Sequence, residues 1–263
     1  MLNIHTFNLN FINLKPDLSV AFFSFFFDGV KIDDISCLIS SRCCGDMIGS
    51  RTNPHRLRLF DALGMDNNAA FLRQIHSKDV IEVNCGNVEA NTAIEADGLV
   101  TRDQDLKLSV TVADCLPVYL YDTLSQGFAV LHSGWKGTGI VINALDLMKE
   151  KFGTRPEAVA AVLGPCIQSC CYKVDAERAH IFNEDFGRLE NEYPLGPVII
   201  TREDRYYLNM QAANASLLAG AGVRNIAVNE DCTFTDSRLG SFRREGEVFT
   251  RMIAMTGYFQ RKF

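Results

Sequence analysis

The chain is poor in histidine, with five residues in 263, and carries one tryptophan and no Cys-x-x-Cys pair. Without such a pair, neither a zinc ribbon nor a thioredoxin-type redox motif is supported. No stretch approaches the roughly 18 consecutive apolar residues that a membrane helix needs. The nearest, Val20 to Phe27, is interrupted by Ser24 and ended by Asp28. Basic runs are also missing, and 26 Lys and Arg against 32 Asp and Glu leave a net charge of −6, which argues against a nucleic-acid partner. With 47% hydrophobic residues, 19 glycines and 7 prolines, collagen-like, low-complexity and disordered chains are excluded. Met1 to His5 contain neither a basic segment nor a small-residue cleavage pattern, so no leader is expected. The reading is a cytoplasmic protein with no membrane partner.

Cysteine, by contrast, is abundant: nine residues, an odd number, including the adjacent pairs Cys43-Cys44 and Cys170-Cys171. Adjacent cysteines make a poor disulfide framework, and the cytosol keeps thiols reduced. Most are therefore expected to be small buried hydrophobes.

Residues 1 to 50 read as β-rich and irregular, with strands at Val20 to Phe27 and Ile35 to Ser41. A helix is expected from Pro54 to Leu63, with Leu57, Phe60 and Leu63 on its apolar face and Gly64 as its stop. Strands are expected at Val80 to Val83, Lys107 to Val112, Val118 to Tyr121 and Gly127 to Leu131, the last two joined as a hairpin through Asp122 to Gln126. Gly139 to Phe152 reads as an amphipathic helix, and Val159 to Leu163 as a strand. Asp175 should cap a helix reaching Phe186. A strand at Val198 to Thr201, a helix at Asn209 to Ala219, and strands at Asn225 to Val228 and Met252 to Tyr258 complete the set. The expected class is α+β (mixed α/β): a single domain over residues 1–263 of mixed sheets flanked by helices.

Three residues sit where strands meet turns: His76 in Gln74-Ile75-His76-Ser77, Cys115 in Ala113-Asp114-Cys115-Leu116-Pro117, and His132 in His132-Ser133-Gly134-Trp135-Lys136-Gly137. Strand ends present side chains to shared clefts. Two imidazoles and a thiolate suit Zn²⁺ and leave its fourth position open. Their spacing matches no local metal motif, so ligands and hydrogen-bonded histidines both remain open. Asp114 could orient a ligand, serve as a general base or simply cap a turn. In Ser241-Phe242-Arg243-Arg244-Glu245, the arginines could grip a phosphate or carboxylate or face solvent. Arg42 is a similar candidate.

In these blocks the chain resembles the YfiH-type family, long called polyphenol oxidase or laccase-domain proteins and also described as purine nucleoside phosphorylases. The resemblance is carried by Gln74-Ile75-His76, Ala96-Asp97-Gly98-Leu99-Val100-Thr101, Ala113 to Val118, His132 to Gly137, Gly164-Pro165-Cys166-Ile167 with Cys170-Cys171-Tyr172-Lys173-Val174, Leu208-Asn209, Cys232-Thr233, and Ser241 to Glu245. It spans roughly residues 54 to 260 and thins over residues 1–53, an atypical N-terminal portion in which Ile39 to Asp46 is the nearest match.

The resemblance implies a YfiH-like fold, related to that of cytotoxic necrotising factor, and a metal triad of His76, Cys115 and His132. The expected ion is Zn²⁺, with Cu²⁺ as the alternative. It implies phosphorolysis of adenosine, inosine or methylthioadenosine to the free base and ribose 1-phosphate, with adenosine deamination as an added activity of the same site. Asp114 and Cys115 would be catalytic. Arg42, Lys136, Arg243 and Arg244 would bind a purine nucleoside and phosphate, the small-molecule partners. The assembly would be a monomer or weak homo-oligomer. A multicopper oxidase needs two copper centres built largely from imidazoles, and five histidines are too few; copper-dependent polyphenol oxidation stays as a minor alternative. The main rival is a Cys–His amidase acting on cell-wall peptide precursors, with Cys115 as nucleophile and His132 as base. A zinc-stabilised binding protein without turnover is the third reading.

Overall fold

Why so many strands read as nearly unbroken apolar runs is explained by the layering: both large sheets are covered on both faces. The computed structural model describes residues 2–65, 69–87, 94–188 and 195–259. A seven-stranded sheet runs, in spatial order, Asn3–Phe7, Asn225–Asn229, Val159–Leu163, Leu116–Asp122, Phe128–Ser133, Gly98–Thr101 and Val80–Glu82. A six-stranded sheet runs Phe11–Lys15, Leu18–Phe23, Ser36–Ser40, Met252–Gly257, Lys107–Val112 and Ala69–Ala70. Both are mixed, with parallel and antiparallel pairs. A three-stranded sheet (Lys173–Val174, Arg205–Leu208, Ile199–Arg202) and a short ribbon (Phe26–Phe27, Val30–Lys31) are added at the periphery.

The alternation of side chains along each strand divides the core into three bodies. Tyr119, Tyr121, Val130 and Val162 from the larger sheet meet Phe23, Ile39, Val110 and Ala254 from the smaller one. On the other face of the larger sheet, Val118, Leu120, Leu131 and Leu163 pack under the helices Ile140–Phe152, Ala176–Phe186 and Met210–Gly220. Beyond the smaller sheet, Leu18, Val20, Leu38 and Ile253 pack against the helix Pro54–Ala62. The order is therefore helix, sheet, sheet, helices, the mixed α/β arrangement that the alternating patterns call for.

Most expected elements are present within a residue or two. Asp175 caps its helix as read, and Asn53 and Asn209 likewise accept backbone N–H groups of their own helices. The phenylalanine-rich segment is one strand, Leu18–Phe23, followed by a break and the short strand Phe26–Phe27. Its rings span the inter-sheet layer, with Phe23 edge-on to Tyr119 at 5.4 Å and Phe25 at 5.7 Å from Tyr121. The first fifty residues thus contribute strands to both large sheets.

Two expectations are corrected. The helix at Pro54 does not bury Leu57, which is 41% exposed; Arg56 is buried instead, beside Leu59 and Phe60. Its guanidinium donates to Ser109 Oγ at 2.9 Å and lies 4.6 Å from the centre of the Phe71 ring. Burial holds its pKa down at about 10, with Arg51 adding to the effect. Hydrophobic periodicity assigns such a face to leucine and cannot foresee a cation that finds a hydroxyl and a ring inside. The cysteines are also less buried than composition implies: Cys37, Cys44, Cys166 and Cys232 are buried, whereas Cys115 and Cys171 are half-buried and Cys43, Cys85 and Cys170 exposed. Among the described residues no helix is long and apolar enough to cross a membrane.

Candidate active site and metal centre

At residues 113–115 the chain leaves the smaller sheet, after Lys107–Val112, and enters the larger one at Leu116. Asp114 turns this corner with φ +88°, an uncommon conformation for a residue with a side chain. The corner brings Cys115 beside His132, which ends its strand one residue short, and beside His76, itself at φ +61°. One nitrogen of each imidazole and the Cys115 Sγ lie within 4.8 Å of one another.

His76 and His132 are tied to one buried carboxylate. Asp97 Oδ1 is 2.8 Å from His132 Nδ1 and accepts the His76 N–H at 3.0 Å; Oδ2 accepts the N–H of Ile75 and Ser77 and the Ser77 hydroxyl. A carboxylate so loaded with donors acts as the acceptor, so His132 Nδ1 carries the proton and Nε2 is left for the cleft. Glycines make room. A Cβ at Gly134 would stand 3.0 Å from Cys115 Sγ and 3.3 Å from the His76 ring, and one at Gly137 would stand 2.9 Å from the Ser77 carbonyl. Two of the glycines after His132 are therefore steric requirements of the cluster.

The electrostatics fit a thiolate beside an imidazolium. Burial alone would push the Cys115 thiol up, but the His132 charge and hydrogen bonds from His132 and His76 outweigh it and bring it to about 6. Burial likewise pulls His132 down, and Cys115 with Asp97 outweigh it and raise it to about 9. Asp97 is held below the usual carboxylate value, because His132 and the Ser77 donors outweigh the cost of burial.

The triad opens into a cavity of about 760 Å³. Its walls include Trp135, Tyr172, Phe242 and Phe249, together with Arg73, Arg178, Arg243 and Arg251. Phe242 is 53% exposed and meets Phe249 edge to face at 5.1 Å. Arg73 pairs with Glu95, and Arg251 with Asp46. Arg178 lies 4.6 Å over Trp135; Arg243 lies 5.3 Å over Tyr172 and donates to the Lys173 carbonyl. Among the described residues, Arg178 and Arg243 make no salt bridge.

Of the residues read from the sequence, the fold brings His76, Cys115, His132, Asp114 and Arg243 into this cavity. Arg42, Lys136 and Arg244 do not line it. Arg42 lies 3.6 Å from Glu245, and Lys136 is exposed with its ammonium 5.6 Å from the Trp135 ring. The Arg244 guanidinium is occupied by the carbonyls of Thr233, Phe234, Asp236 and Leu239 and by Glu245, so it clamps a loop. Asp114 accepts from the Thr233 hydroxyl at 2.6 Å and from the Arg243 N–H at 2.7 Å. Arg178 and Phe249 were not singled out by sequence reasoning, because nothing local marks a residue as facing a distant cleft, and Trp135 and Tyr172 were visible only inside the blocks that carry the resemblance. Asp97 was visible only as part of the Ala96 to Thr101 block.

The donor set fits a single metal ion. Three side chains of imidazole and thiolate type converge, one imidazole is fixed by a buried carboxylate, and the glycine turn leaves space beside the sulfur. It does not fit several copper ions. His5 stacks on Phe26 and His180 pairs with Glu184, both away from the cleft, and no methionine lines the cavity among the described residues.

The comparisons with known proteins agree with this architecture. The family model described as multi-copper polyphenol oxidoreductase laccase matches residues 42–258. A purine nucleoside phosphorylase of Deinococcus radiodurans is 33% identical over 205 residues, covering 77% of this chain and 76% of the relative. A purine nucleoside phosphorylase of Borreliella burgdorferi is 29% identical over 186 residues, covering 70% and 78%. The crystal structure of the hypothetical protein YfiH from Bacillus licheniformis superposes with a TM-score of 0.76 at 26% identity, covering 94% of this chain and 98% of that one.

Proposed function

The chain belongs to the multi-copper polyphenol oxidoreductase laccase family, the YfiH family, and on that premise we propose that it is a zinc-dependent purine nucleoside phosphorylase. The observation that carries the reading is one cavity holding a His76–Cys115–His132 donor set, aromatic walls and two arginines, Arg178 and Arg243, that make no salt bridge among the described residues. A purine ring stacks on Phe242, Tyr172 or Trp135. Phosphate is gripped by Arg178 and Arg243, whose planar forks match its oxygens. A phosphate oxygen forms a bond to ribose C1′ as the bond from C1′ to purine N9 breaks. The electron pair leaves with the base, which takes up a proton, and the products are free base and ribose 1-phosphate.

His76, Cys115 and His132 would hold the ion, with Asp97 fixing the His132 tautomer. When bound, the ion would supply Lewis acidity to the reaction. Asp114 acts as a positioning residue: its carboxylate fixes the backbone of Arg243 while its main chain sets Cys115. Adenosine deamination is proposed as a second activity of the same site.

The Cys115–His132 thiolate–imidazolium pair favours one further reading, a Cys–His hydrolase. Incubating metal-analysed protein with adenosine, inosine and methylthioadenosine, with and without phosphate and chelator, separates the two by HPLC. Phosphate-dependent base release that stops on chelation is the expected result. Absence of turnover in zinc-replete protein, with chelator-resistant and alkylation-sensitive cleavage of amides, would overturn it.

A further inference from the structure

A second group of donors lies outside the cleft, and the proposed reaction makes no use of it. Cys170, Cys171 and Cys232 place three sulfurs within 4.8 Å of one another, and the Sγ atoms of Cys170 and Cys171 are 3.4 Å apart. The three are free thiols; a disulfide would need about 2.05 Å. A tetrahedral ion with bonds of about 2.3 Å to sulfur holds its ligands about 3.8 Å apart, so small side-chain rotations bring these three to coordinating distance. Cys170 is exposed, Cys171 half-buried and Cys232 buried, so an ion has both an entry side and a floor.

The backbone holds these residues in place. Cys166 and Cys232 form a parallel β-bridge, and the Thr233 N–H donates to the Cys166 carbonyl at 3.0 Å. The intervening turn is closed by the N–H groups of Cys171 and Tyr172 on the Gln168 carbonyl, each at 2.9 Å. Gln168 N–H also donates to the Cys232 sulfur at 3.4 Å, the kind of second contact that orients a ligating atom. Cys170 and Cys232 open on a pocket of about 600 Å³ lined also by Glu230, Asp231, Asp236 and Arg202. Three thiolates around a divalent ion leave one negative charge, and Arg202 stands where it can offset it.

We infer that Cys170, Cys171 and Cys232 form a second metal site, separate from the cleft, that takes a thiophilic closed-shell cation, Zn²⁺ or Cu⁺, through three sulfur ligands. An all-sulfur set selects soft cations over Mg²⁺ or Ca²⁺. Binding displaces the thiol protons to solvent. The two sites share no ligand, yet they adjoin: Cys232 precedes Thr233, whose hydroxyl holds Asp114.

Fully reduced protein loaded with Zn²⁺ or with Cu⁺, then weighed by native mass spectrometry and titrated with competing chelators, tests this. The wild type should hold two ions with at least one of the two metals. Cys115→Ala should lose the first ion and keep the second. Cys170→Ser, at an exposed position, and Cys232→Ser should weaken the second ion by roughly tenfold or more and keep the first. In the Cys115→Ala background, iodoacetamide should modify Cys170 and Cys171 more slowly when metal is present. One ion in the wild type with both metals, or a second ion whose affinity is unchanged in Cys170→Ser, would overturn the inference.

Discussion

The cleft and the cysteine pocket lie on either side of the hydrogen bond from Thr233 to Asp114, yet they are built differently. In the cleft, two imidazoles and one sulfur are mixed, and a fully buried carboxylate fixes both the His132 ring and the turn that carries His76. In the pocket the donors are all sulfur, two come from adjacent residues, and their support is backbone hydrogen bonding. The cleft also carries aromatic walls and, among the described residues, two arginines outside salt bridges, Arg178 and Arg243, whereas the pocket is lined mostly by polar and acidic groups. A donor cluster can become a reaction centre when substrate-binding chemistry surrounds it, and of the two it is the cleft that carries aromatic and cationic walls.

The sharpest way to break this contrast is Cys115→Ala. Losing the cleft's sulfur should cut phosphorolysis by roughly 10²- to 10⁴-fold, the several kcal/mol a Lewis acid supplies. Steady-state assays beside metal analysis check it, and full activity with full metal content would remove the scheme.

Asp97→Asn tests whether second contacts set the two regions apart. Zinc affinity of the cleft should fall by roughly 10- to 100-fold, while the ion held by Cys170, Cys171 and Cys232 stays. Competition titration reads both. Equal loss at both sites would mean that the substitution disturbs the fold rather than the ligand.

Arg243→Ala should raise the KM for phosphate by roughly 10- to 100-fold, the loss of a charge-assisted hydrogen bond, and leave the metal content unchanged. An unchanged KM would point to Arg178 as the main phosphate residue.

The smallest expected effect is in pH dependence of the metal-free protein. The Cys115 pKa is depressed to about 6, so its share of stability is present at high pH and lost as the pH falls through about 6. The His132 pKa is raised to about 9, so its share is present at low pH and lost as the pH rises through about 9. Both describe one interaction. The melting temperature should therefore fall by a few degrees outside the window between about 6 and about 9. Alkylation of Cys115 should be half-maximal near pH 6, whereas Cys170, pushed up by partial desolvation and by the neighbouring Cys171 and Cys232 sulfurs, should reach its half-point at a clearly higher pH. Peptide mapping after alkylation follows both thiols, and identical profiles would erase the electrostatic difference between the regions.

Much of the framework was legible in the chain. Strict alternation marked Lys107–Val112, the apolar run marked Val159–Leu163, and Pro54, Asp175 and Asn209 marked helix starts, because these signals act over a few neighbouring residues. The short strands Ala69–Ala70, Lys173–Val174 and Arg205–Leu208 were not legible, since each exists by pairing with a remote partner. His76, Cys115 and His132 stood out individually as strand-end residues, and the resemblance joined them.

The sequence by itself determined the class of the fold, the helix boundaries and the residues able to bind a soft or borderline metal, all properties of residue type and local order. Only the tertiary structure decided which groups act together. Asp97 became a partner of His132 because two strands of the larger sheet lie side by side. Arg244 became a loop clamp and Arg243 a cavity residue, although they are neighbours in the chain. Cys232 met Cys170 and Cys171 across a β-bridge. The physical reason is the same in each case: hydrogen bonds and coordination act over about 3 Å, and that distance between remote residues is set by how the two sheets and their helices pack, not by spacing along the chain.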